Sequence, residues 1–178
     1  CVAHLSAKKG QRHLLGALPA LRAHFPNLVC LLLGEGAMRA ELERLAEALG
    51  VAESVRFLGF RTDAVDVMQL LDVVVLPSVA KEGLGVALIE AAFLGKPTVG
   101  SDCPGIDEVI VPEETGLLVP PGDSEALAAA LIRLLGDAAL RQRLGTAGRA
   151  RAEKLFTLTA MAQRAEEIYF QVLARHHR

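Results

Sequence analysis

Apolar positions fall along this chain in two alternating patterns. Short runs rich in Val and Leu occupy residues 1–3, 28–33, 55–58, 73–76, 97–100 and 117–119, lengths that suit buried strands. Between them apolar residues recur at helical spacing. Met38, Leu42, Leu45, Ala46 and Leu49 share one helical face that ends at Gly50, and Leu127, Leu131, Leu134 and Leu135 share another. The second helix is expected to start from a cap at Asp123 or Ser124 and to stop at Gly136, where glycine takes the left-handed conformation. Asp137 is placed to cap the next helix. Residues 11–25 also read as a helix, with Pro19 expected to kink or split it. After Gly148 the pattern stays helical to the end, with Leu158, Met161, Ala162, Ala165, Ile168, Tyr169 and Val172 on one face. Strands alternating with helices predict a doubly wound α/β fold, a parallel sheet of about six strands with helices on both faces.

Length and composition narrow the function classes. At 178 residues the chain suits one domain with a small appendage, and its apolar content of 52% can supply a core. The charge of −2 argues against nucleic acid or anionic lipid as partner. Six Phe, one Tyr and no Trp leave little for a base-stacking platform. Cys1, Cys30 and Cys103 lack the close pairing of a zinc site or a disulfide framework, so a reducing, cytoplasmic compartment is expected. The longest run without Asp, Glu, Lys or Arg is 12 residues, 23–34, too short to cross a membrane. No signal peptide or lipidation motif appears. An apolar run beginning at Cys1 without a methionine leads us to expect a piece of something larger.

Candidate chemistry gathers where strand runs end. The stretch 77–91 follows an apolar run and opens a helix, the side of an open α/β sheet where ligands bind. Gly83 and Gly85 allow close backbone approach, and the free N–H groups of the first helical turn make a seat for phosphate. Glu82 and Glu90 would sit at different depths along an elongated ligand and suit two sets of sugar hydroxyls. The plainer alternative makes Glu82 an electrostatic helix cap and Glu90 a solvated helix residue. Lys9, in the Ser6–Gly10 stretch, can reach a pyrophosphate, and His4 can donate to phosphate or serve as a partly buried structural histidine. Gly34-Glu35-Gly36 resembles a dinucleotide fingerprint only in part, because Arg39 stands where the third glycine belongs. There is no G-x4-G-K-[ST] sequence and no metal-ligand spacing. The Arg-His-His-Arg end at 175–178 suggests either metal affinity or a solvated terminus.

These residues carry a family resemblance. The run from Glu82 to Glu90, with its E-G-x-G opening, looks like the E-x7-E motif of the retaining glycosyltransferases of the group 1, or family 4, type. Val55-Arg56-Phe57-Leu58-Gly59-Phe60, Leu71-Asp72-Val73-Val74-Val75-Leu76-Pro77-Ser78, Gly95-Lys96-Pro97 and Thr115-Gly116-Leu117-Leu118-Val119 follow the family's order and spacing. The resemblance extends from Val2 to about Phe156. It implies the C-terminal half of a GT-B enzyme: a Rossmann-like nucleotide-sugar-binding domain over 1–156, and a helix over 157–178 that packs toward a missing N-terminal, acceptor-binding domain.

By the same resemblance, a UDP or GDP sugar is the donor, transferred with retention to an acceptor hydroxyl without a metal or other cofactor. Glu82 contacts the transferred sugar as the catalytic residue, and Glu90 accepts hydrogen bonds from the ribose. Lys9 lies at the donor diphosphate, His4 and Gly34 are donor-binding, the Gly83, Leu84, Gly85 and Val86 backbone holds phosphate and sugar oxygens, and the base rests near Phe60 and Arg61. No covalent nucleophile is assigned. The family commonly has arginine where His4 stands, phenylalanine at Leu84, and Gly-Gly where Pro104-Gly105 stands. A neutral imidazole offers one N–H donor where guanidinium offers five. The isolated chain is expected to bind donor but transfer poorly. A bacterial, cytoplasmic enzyme is implied, with peripheral membrane attachment left to the missing half. Two alternatives are a non-catalytic nucleotide-binding module and a nucleotide-sugar epimerase of GT-B architecture.

Overall fold

The computed structural model describes the backbone of residues 1–176 and side chains through residue 173. Chain order is α1 (Gln11–His24), β1 (Cys30–Leu33), α2 (Arg39–Ala48), β2 (Val55–Gly59), α3 (Ala64–Gln69), β3 (Val74–Leu76), α4 (Val86–Phe93), β4 (Thr98–Ser101), β5 (Leu117–Val119), α5 (Ser124–Gly136), α6 (Ala138–Leu155) and α7 (Leu158–His176). All strand pairs are parallel, β1 with β2 and β4 between β3 and β5.

Alternation along the strands divides the core. Val75 and Val99 join Leu15, Leu18, Leu131 and Leu144 in one cluster, against α1, α5 and α6. Val74 and Leu76 face the other way, onto Met68, Leu88, Ile89 and Ile110. Helices therefore cover both faces, as strands buried on two sides require.

The sheet is smaller than the six-stranded one expected. Five strands form two ladders among the described residues, and residues 1–3 contribute only a bridge, Val2 to Leu33. Leu33 N–H reaches Cys1 O at 2.9 Å and Ala3 N–H reaches Leu33 O at 2.9 Å. The chain then bends at Ala3, and Leu5 N–H turns to Glu35 O at 2.8 Å, which stops the ladder.

Three helix details also differ. Pro19 neither splits nor ends α1, and its ring lies on the exposed side of the helix. Gly136 stays helical rather than left-handed. Asp137 ends α5 in an extended conformation and caps α6 by accepting from Leu140 N–H at 2.8 Å, while Arg141 Nη1 donates to Leu134 O and Leu135 O at 2.7 Å each. The freed carbonyls of α5 thus have a donor without a glycine turn. The terminal helical stretch is broken at Phe156–Thr157, where Phe156 packs on the second cluster and Thr157 Oγ1 accepts from Ala160 N–H at 3.1 Å. Along α7, Leu158, Met161, Ile168, Tyr169, Phe170, Val172 and Leu173 are exposed. No described helix is long and apolar enough to cross a membrane. The Arg-His-His-Arg side chains lie outside the described residues.

Helix α6 packs on the end of α4 through Gly145, where an added methyl would sit 2.0 Å from Gly95 O. Alanine in an exposed helix interior stabilises by about 1 kcal/mol over glycine. Here the sign reverses: Gly145→Ala is expected to cost about 1–3 kcal/mol through overpacking. Urea unfolding decides it, and a gain in stability would contradict the packing described.

Candidate functional site

The C-terminal ends of the parallel strands form an open mouth, and the loops there hold one another directly. Gly10, at φ +66°, ends a short 3-10 turn over Ala7–Lys9 and starts α1. A methyl on Gly10 would sit 1.9 Å from Pro77 O, so only glycine lets the first loop lie on the loop after β3. Val79 N–H donates to Lys8 O at 2.9 Å across the same contact.

This approach brings Lys9 to Glu82, 73 residues away in sequence. Lys9 Nζ donates to Glu82 Oε2 at 2.8 Å, and Ser78 Oγ donates to Oε1 at 2.5 Å. Glu82 N–H is held by Pro104 O at 2.8 Å, and the left-handed Gly105 packs its Cα against Glu82 O. The Glu82 side chain is 6% exposed, that of Lys9 24%. Burial pushes the Glu82 carboxyl pKa up, but hydrogen bonds from Lys9 and Ser78 and the charges of Lys9 and Lys8 outweigh it and hold the group below its ordinary value. Glu82 is therefore held in its ionised form. Burial, and then the charges of Glu82, Asp107 and Asp102, push the neighbouring Cys103 thiol up, away from nucleophilic thiolate.

Beyond Glu82 the chain exposes Gly83 and Leu84 and enters α4 through the left-handed Gly85, at φ +56°. Leu88 N–H and Ile89 N–H both turn back to Gly85 O. That leaves the N–H groups of Val86 and Ala87 at the helix start available to an anion. Glu90 follows on α4 with a partly exposed side chain.

A second group of predicted residues sits at the ends of β1 and β2. Gly34 N–H donates to Gly59 O at 2.8 Å, tying the two strand ends together. Phe60 is 76% exposed beside them. Arg61 is held by Asp63 through Nε–Oδ1 at 2.7 Å and Nη2–Oδ2 at 2.5 Å. His4 is exposed, and its carbonyl accepts from Gln11 Nε2 at 2.9 Å. The structure thus joins Lys9, Glu82 and the Gly83–Val86 stretch by direct contact. It places His4, Gly34, Phe60 and Arg61 on the neighbouring strand ends and Glu90 on the helix beyond.

Two contributors have no role in the sequence reading. Ser78 is fully buried against Glu82, and Gln11 is 1% exposed beneath His4. A polar residue at the end of an apolar strand and a glutamine opening a helix behind glycine are their only sequence signals. Among the described residues no three His, Cys, Asp or Glu cluster as a metal would require. A separate cavity of about 380 Å³ opens at the other strand ends, its side chains mostly apolar, Cys1, Leu18, Val29, Cys30, Val73 and Leu131 among them, together with Asn27 and Asp72.

Comparison with known proteins gives this mouth a context. Residues 1–151 match the family described as glycosyl transferases group 1. A phosphatidyl-myo-inositol mannosyltransferase of Mycobacterium leprae is 37% identical over 164 residues, 91% of this chain and 43% of that protein. HepE from Anabaena, solved in complex with UDP, superposes with a TM-score of 0.88 at 29% identity over 96% of this chain and 47% of that one. The C-terminal domain of a group 1 glycosyl transferase, LpcC from Francisella tularensis, gives a TM-score of 0.78 at 25% identity over 87% of this chain and 83% of that one. The chain spans less than half the length of the curated relatives it matches. Its architecture is that of the C-terminal half of a GT-B fold.

The depressed Glu82 pKa makes a stability prediction with a definite sign. Its contribution is complete above the ordinary glutamate pKa of about 4.3 and is lost as pH falls below that through the lower native value. Glu82→Gln is expected to cost about 1–3 kcal/mol at pH 7, with the gap to wild type closing toward pH 3. Denaturant unfolding across that range would refute the account if the gap stayed constant.

Proposed function

This chain belongs to the group 1 glycosyl transferases, and from that premise we propose that it is the donor-binding half of a retaining enzyme that takes a nucleotide-diphosphate sugar. The observation that carries the reading is the buried Glu82 carboxylate, ion-paired with Lys9 at 2.8 Å beside the free amides that open α4. A buried, ionised pair at a ligand-facing strand end is poised to exchange partners when an anionic sugar nucleotide arrives. HepE, a structural neighbour solved with UDP and also with UDP-glucose, supports a nucleotide sugar as the class of ligand.

In this reading the diphosphate lies over the α4 start and Lys9, which stabilise the charge that develops as the nucleoside diphosphate departs. Glu82, released from Lys9, accepts hydrogen bonds from hydroxyls of the transferred sugar. Glu90, just over one turn into α4, accepts from the ribose. The base rests at the ends of β1 and β2 by Phe60 and Arg61. Proton removal from the acceptor and exclusion of water fall to the acceptor-binding half. The exposed apolar residues of α7 then pack on that half. The chain alone is expected to transfer sugar far more slowly than about 1 per second.

Calorimetric titration of UDP, GDP, ADP and their sugar conjugates tests the donor site. One nucleotide class is expected to bind selectively, with Glu90→Ala weakening it by about tenfold or more, the loss of charged hydrogen bonds worth about 1.5–3 kcal/mol. Binding that ignores Glu90→Ala would contradict the assignment.

A further inference from the structure

The loop after β1 lies over the end of β2. Gly34 N–H donates to Gly59 O at 2.8 Å, and Leu5 N–H donates to Glu35 O at 2.8 Å, so the backbone of this loop is held from both sides. Gly59 stands at φ +69° and carries no side chain. Two charged groups crowd the point where its Cβ would be: Glu35 Oε1 is 3.1 Å from it and Arg39 Nη1 4.0 Å. The exposed Phe60 ring follows directly in the chain.

These groups differ in what they have left to bond. Arg39 is fixed, with Nε donating to Glu43 Oε1 at 2.9 Å and Cζ 5.7 Å from the Phe57 ring centroid. Arg61, the other cation at this edge, gives Nε and Nη2 to Asp63. Glu35 is exposed, and among the described residues its carboxylate takes part in no ion pair. The edge beside Phe60 thus offers a carboxylate with both oxygens free, and a guanidinium over the same glycine with Nη1 still able to donate.

We infer, resting on the donor-site reading that puts the base at the ends of β1 and β2, that Glu35 is a specificity-determining residue and makes guanine the preferred base. One edge of guanine carries the O6 acceptor, the N1–H donor and the 2-amino donor side by side. A carboxylate accepts two adjacent N–H groups at once, and arginine donates to O6. Uracil presents a single N–H between two carbonyl oxygens, so the same carboxylate meets one donor flanked by two acceptors that repel it. Adenine presents its amino group beside the N1 acceptor. UDP and ADP still gain the ribose and diphosphate contacts, but the base leaves Glu35 poorly matched, and a charged group left without its partners discriminates strongly.

The test is calorimetric titration of GDP, IDP and UDP with wild type, Glu35→Ala and Glu90→Ala. Hypoxanthine is guanine without the 2-amino group, so IDP isolates the second hydrogen bond to Glu35. Thermal unfolding checks that each variant folds. Wild type is expected to bind GDP about tenfold or more tighter than IDP, with UDP weaker than GDP. Glu35→Ala should bring GDP and IDP close to equal, whereas Glu90→Ala should weaken both by the same factor, because they share the ribose. Equal binding of GDP and IDP by wild type, a preference for UDP, or a GDP preference that survives Glu35→Ala would overturn the inference and leave the donor site standing. If none of the nucleotides binds, or Glu90→Ala weakens none of them, the donor-site reading fails and takes the inference with it.

Discussion

The ion pair between Lys9 and Glu82 is the constraint on which the rest of the mouth depends. It joins the segment that follows the β1 bridge to the loop that follows β3, and so links two ladders that share no strand-to-strand hydrogen bond among the described residues. A carboxylate buried this deeply is costly unless its oxygens are satisfied. Here both are, by Lys9 and Ser78, and the backbone N–H of Glu82 is satisfied by Pro104. Gly10 makes the pair reachable, because any side chain there would hold the first loop off Pro77.

From that pair the chemistry follows the direction of the strands. Parallel strands deliver their C-terminal loops to one edge, and each brings a different tool: a lysine and a histidine after the first segment, paired glycines after β1, an exposed aromatic after β2, a glutamate and a helix start after β3. None of these alone specifies a ligand. In the reading proposed above they act together: carboxylates for hydroxyls, amides and cations for phosphates, and the exposed Phe60 ring for a base, the inventory a nucleotide sugar requires. The opposite strand ends carry a cavity lined mostly by apolar side chains, without that inventory.

Much of this was legible in the sequence, and the failures have physical causes. Apolar runs located all five strands because buried parallel strands are apolar on both faces, as Val74 and Val75 show by facing opposite cores. The sixth was lost where the chain bends at Ala3 to fix Leu5 on Glu35, a tertiary contact no local pattern announces. Asp123 and Asp137 were readable as caps because side-chain capping is local. The left-handed end expected at Gly136 failed because Arg141, five residues on, bonds the last carbonyls instead. Motif spacing placed Glu82 at a strand end, yet nothing in spacing alone revealed its pairing with Lys9, nor the burial of Ser78 and Gln11. Those depend on which loops touch.

The central claim is that the Lys9–Glu82 pair is the resting state of a donor site. A crystal structure of the chain with UDP-glucose bound tests it most directly. The account predicts Lys9 Nζ withdrawn from Glu82 onto the diphosphate, Glu82 turned to the sugar and Glu90 within hydrogen-bond distance of the ribose. A nucleotide bound elsewhere, with Lys9 still on Glu82, would contradict it.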